Sequence, residues 1–325
     1  MFLLLSILLF ALVLMIPAIS TIREVGWPRD EGRLRIPEGY ERDPRWFGRS
    51  YREKLAGFVA AARGDASYQA DLKLRTNEET RWAPDLTIPP QERLRGIEVG
   101  ERVRVGHGAG IRDAYALQSL DVERDVVART LTSDGGMHVG PAVNILRWID
   151  ADGEIVVDAG ANLGVSASGG TRVTLAHGVR FERVWGKPVT SRTGTTAPFP
   201  LVERKRATLI DATAVESGKP IIIYGPVRIA SGTNIRSDIK VHGPLDVESG
   251  VRIAGNVIAR GDVTFASDVA VEGDIFSERD VWLGPACRVG RHDGTKTVYA
   301  AGHVTIADDV EVEGWVVAEG GGQTR

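Results

Sequence analysis

The sequence predicts an all-β protein, a parallel β-helix of about 18 residues per coil, and three observations predict it. Apolar side chains recur with a period of eighteen: segments begin at Gly225, Gly243, Gly261 and Arg279, and a fifth follows at Gly302. Within each coil the apolar places come in pairs two apart, repeated every six residues, which suits three short strands that each turn two side chains toward one axis. The chain is 43% hydrophobic but only 6% aromatic, with 38 glycines. Slim aliphatic side chains and frequent glycine fit a narrow stacked interior with tight corners.

The repeat names the core. The first inward pair of the successive segments is Val227/Ile229, Leu245/Val247, Val263/Phe265, Val281/Leu283 and Val304/Ile306. A second column runs through Ile235, Ile253, Val271 and Val289, and Cys287 falls on an inward place beside Val251 and Val269. Gly232, Gly250, Gly255, Gly273 and Asp308 stand between pairs, where corners need positive φ or close bends. A five-residue insertion falls within Arg291 to Lys296. Upstream, Met137, Ile155 and Val173 are also eighteen apart, and counting on from Val173 reaches Leu209 and then Val227. That phase crosses the polar segment Gly186 to Arg206, expected to be a loop that replaces one coil or bulges from it. Before Met137 the six-residue spacing slips at Asp134-Gly135-Gly136. A sandwich of short strands also alternates, but it has no reason to hold a register of six and eighteen over so long a stretch.

The expected organisation follows: a transmembrane signal anchor over 1–20, a juxtamembrane stalk over 21–96, a first β-helix section over 97–185, a loop over 186–206, a second section over 207–319 and a polar tail over 320–325. Residues 2–19 carry no charge and are long enough to span a bilayer core as a helix. A signal peptide cut after Ser20 is the competing reading, since Ala18-Ile19-Ser20 has the small-x-small form; no basic residue precedes the apolar run. Arg23, Arg29, Arg33 and Arg35 follow it, which by the positive-inside rule puts the body in the cytoplasm of a single-pass inner-membrane protein, with a periplasmic body as the alternative. Within the stalk, a helix is expected over about 50–62. Ser50 and Glu53 form a capping-box pattern, Gly64 supplies the stop, and Tyr51, Leu55, Phe58, Val59 and Ala62 share one face. Such a helix packs against the body, most naturally plugging its open end. Arg49, Arg52, Lys54 and Arg63 also allow a membrane-surface role.

A net charge of −3 gives no basic domain and so no nucleic-acid partner. The single cysteine excludes an internal disulfide framework. No residues are expected to be catalytic, cofactor-binding or metal-binding. His107, His138, His177, His242, His292 and His303 share no motif, and His292, in the insertion, is the least implausible base. Gly106-His107-Gly108-Ala109-Gly110 lacks the Lys-Ser/Thr of a phosphate loop and reads as a corner. Asp308, Asp309, Glu311 and Glu313 read as a solvated edge.

The stacked units GPVRI, GPLDV, GDVTF, RDVWL and GHVTI, from Gly225 to Ala318, resemble those of bactofilins, the polymer-forming cytoskeletal proteins of bacteria. The resemblance covers roughly the last 110 residues well and 97–189 more loosely. It implies a right-handed triangular β-helix that assembles end to end, often at a membrane. The function expected is a non-enzymatic scaffold whose partners are other copies of itself, the membrane through residues 2–19, and other cell-envelope proteins. The alternatives are a left-handed hexapeptide-repeat acyltransferase, disfavoured because both members of the inward pairs are large, and a periplasmic β-helix binding module. A β-helix ends in unpaired strand edges. The last coil carries Trp315, Val316 and Val317, read either as a self-association edge or as an edge covered by the stalk or tail. Outward Ile258, Phe276, Trp282 and Tyr299 are candidates for apolar patches.

Overall fold

The computed structural model describes residues 43–63, 79–194, 207–211, 219–291 and 294–325, with the backbone alone of the short strands Gln69–Ala70, Lys73–Leu74 and Thr76–Asn77. The candidate anchor over 2–19 lies outside them. Among the described residues no helix is long and apolar enough to cross a membrane.

The body is a β-solenoid of about 12 turns with about 18 residues per coil. In the second half, Val227, Leu245, Val263, Val281 and Val304 are successive parallel partners. Their companions Ile229, Val247, Phe265, Leu283 and Ile306 stack likewise, and all ten are buried. Ile253, Val271 and Val289 sit one above another on a second side, with exposures of 0, 2 and 2%. One corner of each coil is left-handed: Gly232, Gly250, Asp268, Ala286 and Asp309 have φ from +54° to +72°. Gly255 and Gly273 serve a different need, since a Cβ on either would strike the backbone of the coil beneath. At the last corner the positive φ belongs to Asp309 rather than its neighbour Asp308.

The first half starts at Thr80, not near residue 97. The strand Thr80–Ile88 pairs in parallel with Arg93–Val105, which pairs with Gly110–Val122. These coils are shorter. Ile88, Val105, Val122 and Val139 are partners at seventeen-residue steps, and Val157 and Leu175 follow at eighteen. The slip before Met137 is this change of coil length. The opening coil also hides its pattern behind Pro84 and charged inward residues.

The largest departure is in direction. The strand Arg180–Arg192 ends the first half and pairs antiparallel with Glu311–Thr324, which ends the second. The second half is therefore inverted, and the two are stacked C-terminal end to C-terminal end around one continuous core. The expected loop begins only after the strand's end at Arg192, and the expected tail is strand up to Thr324. The phase that carried Val173 through Leu209 to Val227 is coincidental. Thr208 lies beneath Val227, while Leu209 pairs with Arg228 and faces solvent at 57% exposure. A one-residue slip turns a side chain to the other face. The connector must return from the seam to the far end of the second half. Six coil steps at about 4.8 Å make roughly 29 Å. The thirteen Cα steps from Gly194 to Ala207 reach about 43 Å when extended.

The helix Trp46–Ala62 begins four residues before Ser50. The Asp43 side chain accepts the Arg45 N–H at 3.0 Å and its carbonyl accepts the Trp46 N–H at 3.1 Å, so the start is set there and not by Ser50. The helix does not plug an end. It lies on the flank of the first half, where Leu55, Phe58, Val59 and Ala62 cover Trp82, Ile97, Val99 and Tyr115. Trp82, Val99 and Tyr115 are partners on successive coils, an apolar outer column that water would otherwise meet.

Candidate functional site

Three places in this rod carry features beyond its core: the seam, the two ends and the flank where the helix docks. At the seam all three sides of the last coil are paired. Phe181 faces Gly322, Val184 faces Val316, Trp185 faces Trp315 and Val189 faces Val312. Trp315, Val316 and Val317, the candidate self-association edge, are thus held by Trp185, Val184 and Arg183 of the same chain. The glycine run explains why this strand reads as a tail. Glycine is poor in strands, yet here it makes room: a Cβ on Gly322 would lie 2.7 Å from Phe181 Cδ2 and closer still to Cε2 and Cζ.

Side chains close the seam's corners. Thr324 Oγ1 accepts the Val179 N–H at 2.9 Å and donates to the Ala176 carbonyl at 2.5 Å. Ser191 Oγ donates to Ala307 O at 2.6 Å and accepts from the Val310 N–H at 2.9 Å. Asp308 accepts the backbone N–H groups of Thr193 and Gly194 at 2.6 and 3.1 Å. Burial alone would raise its pKa, but these donors outweigh it and hold the carboxyl below its ordinary range. Asp308 is thus a clasp on the seam, not part of a free acidic edge.

The ends differ. At the first-half end, Pro84 sits within the outermost long strand, and Gln69–Ala70 cover part of it antiparallel. Arg81 and Glu98 stand in the inward column above Ala114 and Leu131 and form an ion pair at 2.8 Å. Burial pushes the Glu98 carboxyl up despite Arg81. At the second-half end, Thr208–Ile210 and Ile221–Tyr224 each pair, among the described residues, with the coil above alone. Their inward side chains Ile210, Ile221 and Ile223 pack on the core and are partly exposed. Tyr224, 78% exposed, stacks on His242 at 4.4 Å between ring centroids.

On the flank, Asp150 is buried at 1% exposure and gathers three side chains. Arg45 donates to both its oxygens at 3.0 and 2.9 Å, Arg52 donates to Oδ2 at 2.5 Å, and Ser168 donates to Oδ1 at 2.6 Å. Arg45 also pairs with Asp152, and Arg52 with Asp134 at 2.6 Å. Burial alone would lower the pKa of both guanidinium groups, and these carboxylates raise it. Gly48 allows the approach, because a Cβ there would lie 2.6 Å from that of Asp150. Tyr115 donates to Asp134 at 2.7 Å, and burial with that carboxylate raises its pKa. The sequence suggested Arg52 only as a membrane-facing cation. Its partners are three aspartates 82 to 100 residues away, beyond the reach of a local motif.

The remaining candidates stand apart from one another. His138 lies between Asp121 and Asp158, at 2.9 and 3.0 Å on its two ring nitrogens. His107 faces Glu123, His303 faces Asp280, and His292 lies outside the described residues. Cys287 is buried, its Sγ 3.0 Å from Ala266 O, and burial pushes its thiol up to about 12. Gly106 to Gly110 form a corner with Gly108 at φ +66°. Ile258, Phe276 and Tyr299 form one outward column, while Trp282 stands on another side. Among the described residues no group of three or more His, Cys, Asp or Glu is placed to hold a metal ion. In comparisons with known proteins the chain matches no protein-family model, no curated protein and no solved structure.

Proposed function

We propose that this chain is a bactofilin-like structural scaffold, anchored in the inner membrane through residues 2–19 with its body in the cytoplasm, and that it acts by self-association rather than catalysis. The solenoid is then right-handed and triangular, as the stacked G-x-[VIL]-x-[VIF] units imply. The observation that carries this reading is the seam. It shows a solenoid end of this chain working as a strand-pairing surface that accepts another solenoid end over a whole coil. Unpaired strand edges invite such addition, and parallel stacking within each half leaves one at every terminus. In this chain one end-to-end contact is already made internally, so each molecule is a double-length unit. Copies of the chain, and other envelope proteins docking on the flanks, are the partners.

The test is twofold. Membrane fractionation with a C-terminal reporter should place the chain in the inner membrane with the reporter in the cytoplasm; a reporter active only in the periplasm overturns that placement. Sedimentation of the detergent-solubilised full chain should show mass rising with concentration. A single sedimenting species of monomer mass across the whole range overturns the self-association reading.

A further inference from the structure

We infer that the rod associates through one end only: two copies join through the described edge strands of their second halves, Thr208–Ile210 and Ile221–Tyr224, and growth stops there, because the first-half end is closed. This rests on the self-association reading and names the surface that carries it. Three devices close the first-half end. Pro84 withholds a backbone donor from the outermost strand, Gln69–Ala70 occupy part of that strand's edge, and the Arg81–Glu98 pair places charge in the lumen where a docking coil would need apolar contact. Proline, a covered edge and inward-pointing charge are each known means of blunting a sheet edge.

Among the described residues, the edge strands Thr208–Ile210 and Ile221–Tyr224 contain no proline and no inward charge, and no further strand covers them. The described lumen-facing residues of this end are uncharged, Thr208 with the aliphatic Ile210, Ile221 and Ile223, and Leu209 and Tyr224 at its rim are 57 and 78% exposed. Its backbone is poised for pairing. The Ile221 N–H donates to Asp238 O and the Gly225 N–H to His242 O, both toward the coil above. Because N–H directions alternate along a strand, those of Ile222 and Tyr224 point away from the body. The same strand from a second copy, rotated by a two-fold axis, presents the antiparallel complement, so the contact is isologous and closes on itself. The seam already shows two solenoid ends of this chain meeting antiparallel. Twelve turns at about 4.8 Å make a rod of roughly 58 Å, so the pair measures about 115 Å.

The experiment uses the full chain in detergent, with sedimentation equilibrium and negative-stain microscopy. The wild type should give particles of two rod lengths and no longer. Ile222→Pro removes a donor that faces away from the body, so the internal ladder is spared. It should raise the dimer dissociation constant at least tenfold and leave the melting temperature unchanged. Tyr224→Lys, at an exposed rim position, should do the same, and decides the matter if Ile222→Pro melts early. Polymers longer than two rods in the wild type overturn the closed end. Pairing undiminished in both variants overturns the end assignment while self-association stands. Single rods at every concentration overturn both.

Discussion

The seam makes a quantitative prediction that links residues 141 positions apart in the chain, Phe181 and Gly322. Gly322→Ala puts a methyl group within the contact distance of three ring atoms of Phe181, a side chain that is 3% exposed and closed in by the core. The ring can yield only by leaving its rotamer or by moving the seam strands apart. Overpacking of this kind costs about 1–3 kcal/mol. Phe181→Leu, made alone, leaves a void and costs a similar or smaller amount, since full truncation of a buried Phe costs about 3–5 kcal/mol. In the double variant the smaller side chain makes room for the methyl, so the two losses should not add. A coupling energy of about 0.5–3 kcal/mol, favouring the double variant, is expected for residues in contact. The assay is denaturant unfolding of the four proteins of the cycle, followed by circular dichroism. Two strands on separate bodies have no means of coupling, so strictly additive losses would refute the antiparallel seam.

Four further outcomes follow from particular residues. Val271→Asp buries a carboxylate between Ile253 and Val289 and should cost several kcal/mol; a variant that melts like the parent refutes the inward register. Ala286→Gly relieves a left-handed corner at φ +57° and should stabilise by about 0.5–1 kcal/mol, a rise in melting temperature that Gly232→Ala, at the same corner of an earlier coil, should reverse in sign. Replacing Arg45 and Arg52 together by Met strands Asp150 beneath the helix. The docked helix should lose about 3–5 kcal/mol and become protease-sensitive between Trp46 and Ala62 while the solenoid resists. For His138, burial alone lowers the pKa, but Asp121 and Asp158 raise it above 6.5. Its stabilisation is complete below pH 6.5 and lost as pH rises through the higher folded value; His138→Gln should flatten that slope in melting temperature against pH.

Periodicity of apolar residues, a local property, was enough to reveal the coil. Val227, Leu245, Val263, Val281 and Val304 are eighteen apart, or twenty-three across the insertion, because each coil stacks on the one before it. A repeat that contacts only its neighbours writes its geometry into nearby sequence. The corners were legible where glycine marks them, at Gly232 and Gly250, and hidden where Ala286 or Asp309 adopts the same backbone. The first coil was obscured because Pro84, Arg81 and Glu98 break the apolar pattern there. The flank helix was visible in its apolar face, but not the column it covers.

The sequence alone therefore determined that this chain coils, with what period and around which side chains. Only the tertiary structure decided that the second half is turned end for end, that Trp315 to Val317 are spent on an internal seam, and that Asp150 draws Arg45 and Arg52 onto the flank. Direction, pairing partner and docking place depend on contacts between residues on different coils, beyond the reach of a local pattern. A period is the same read from either end, so it cannot tell a rod that continues from one that reverses.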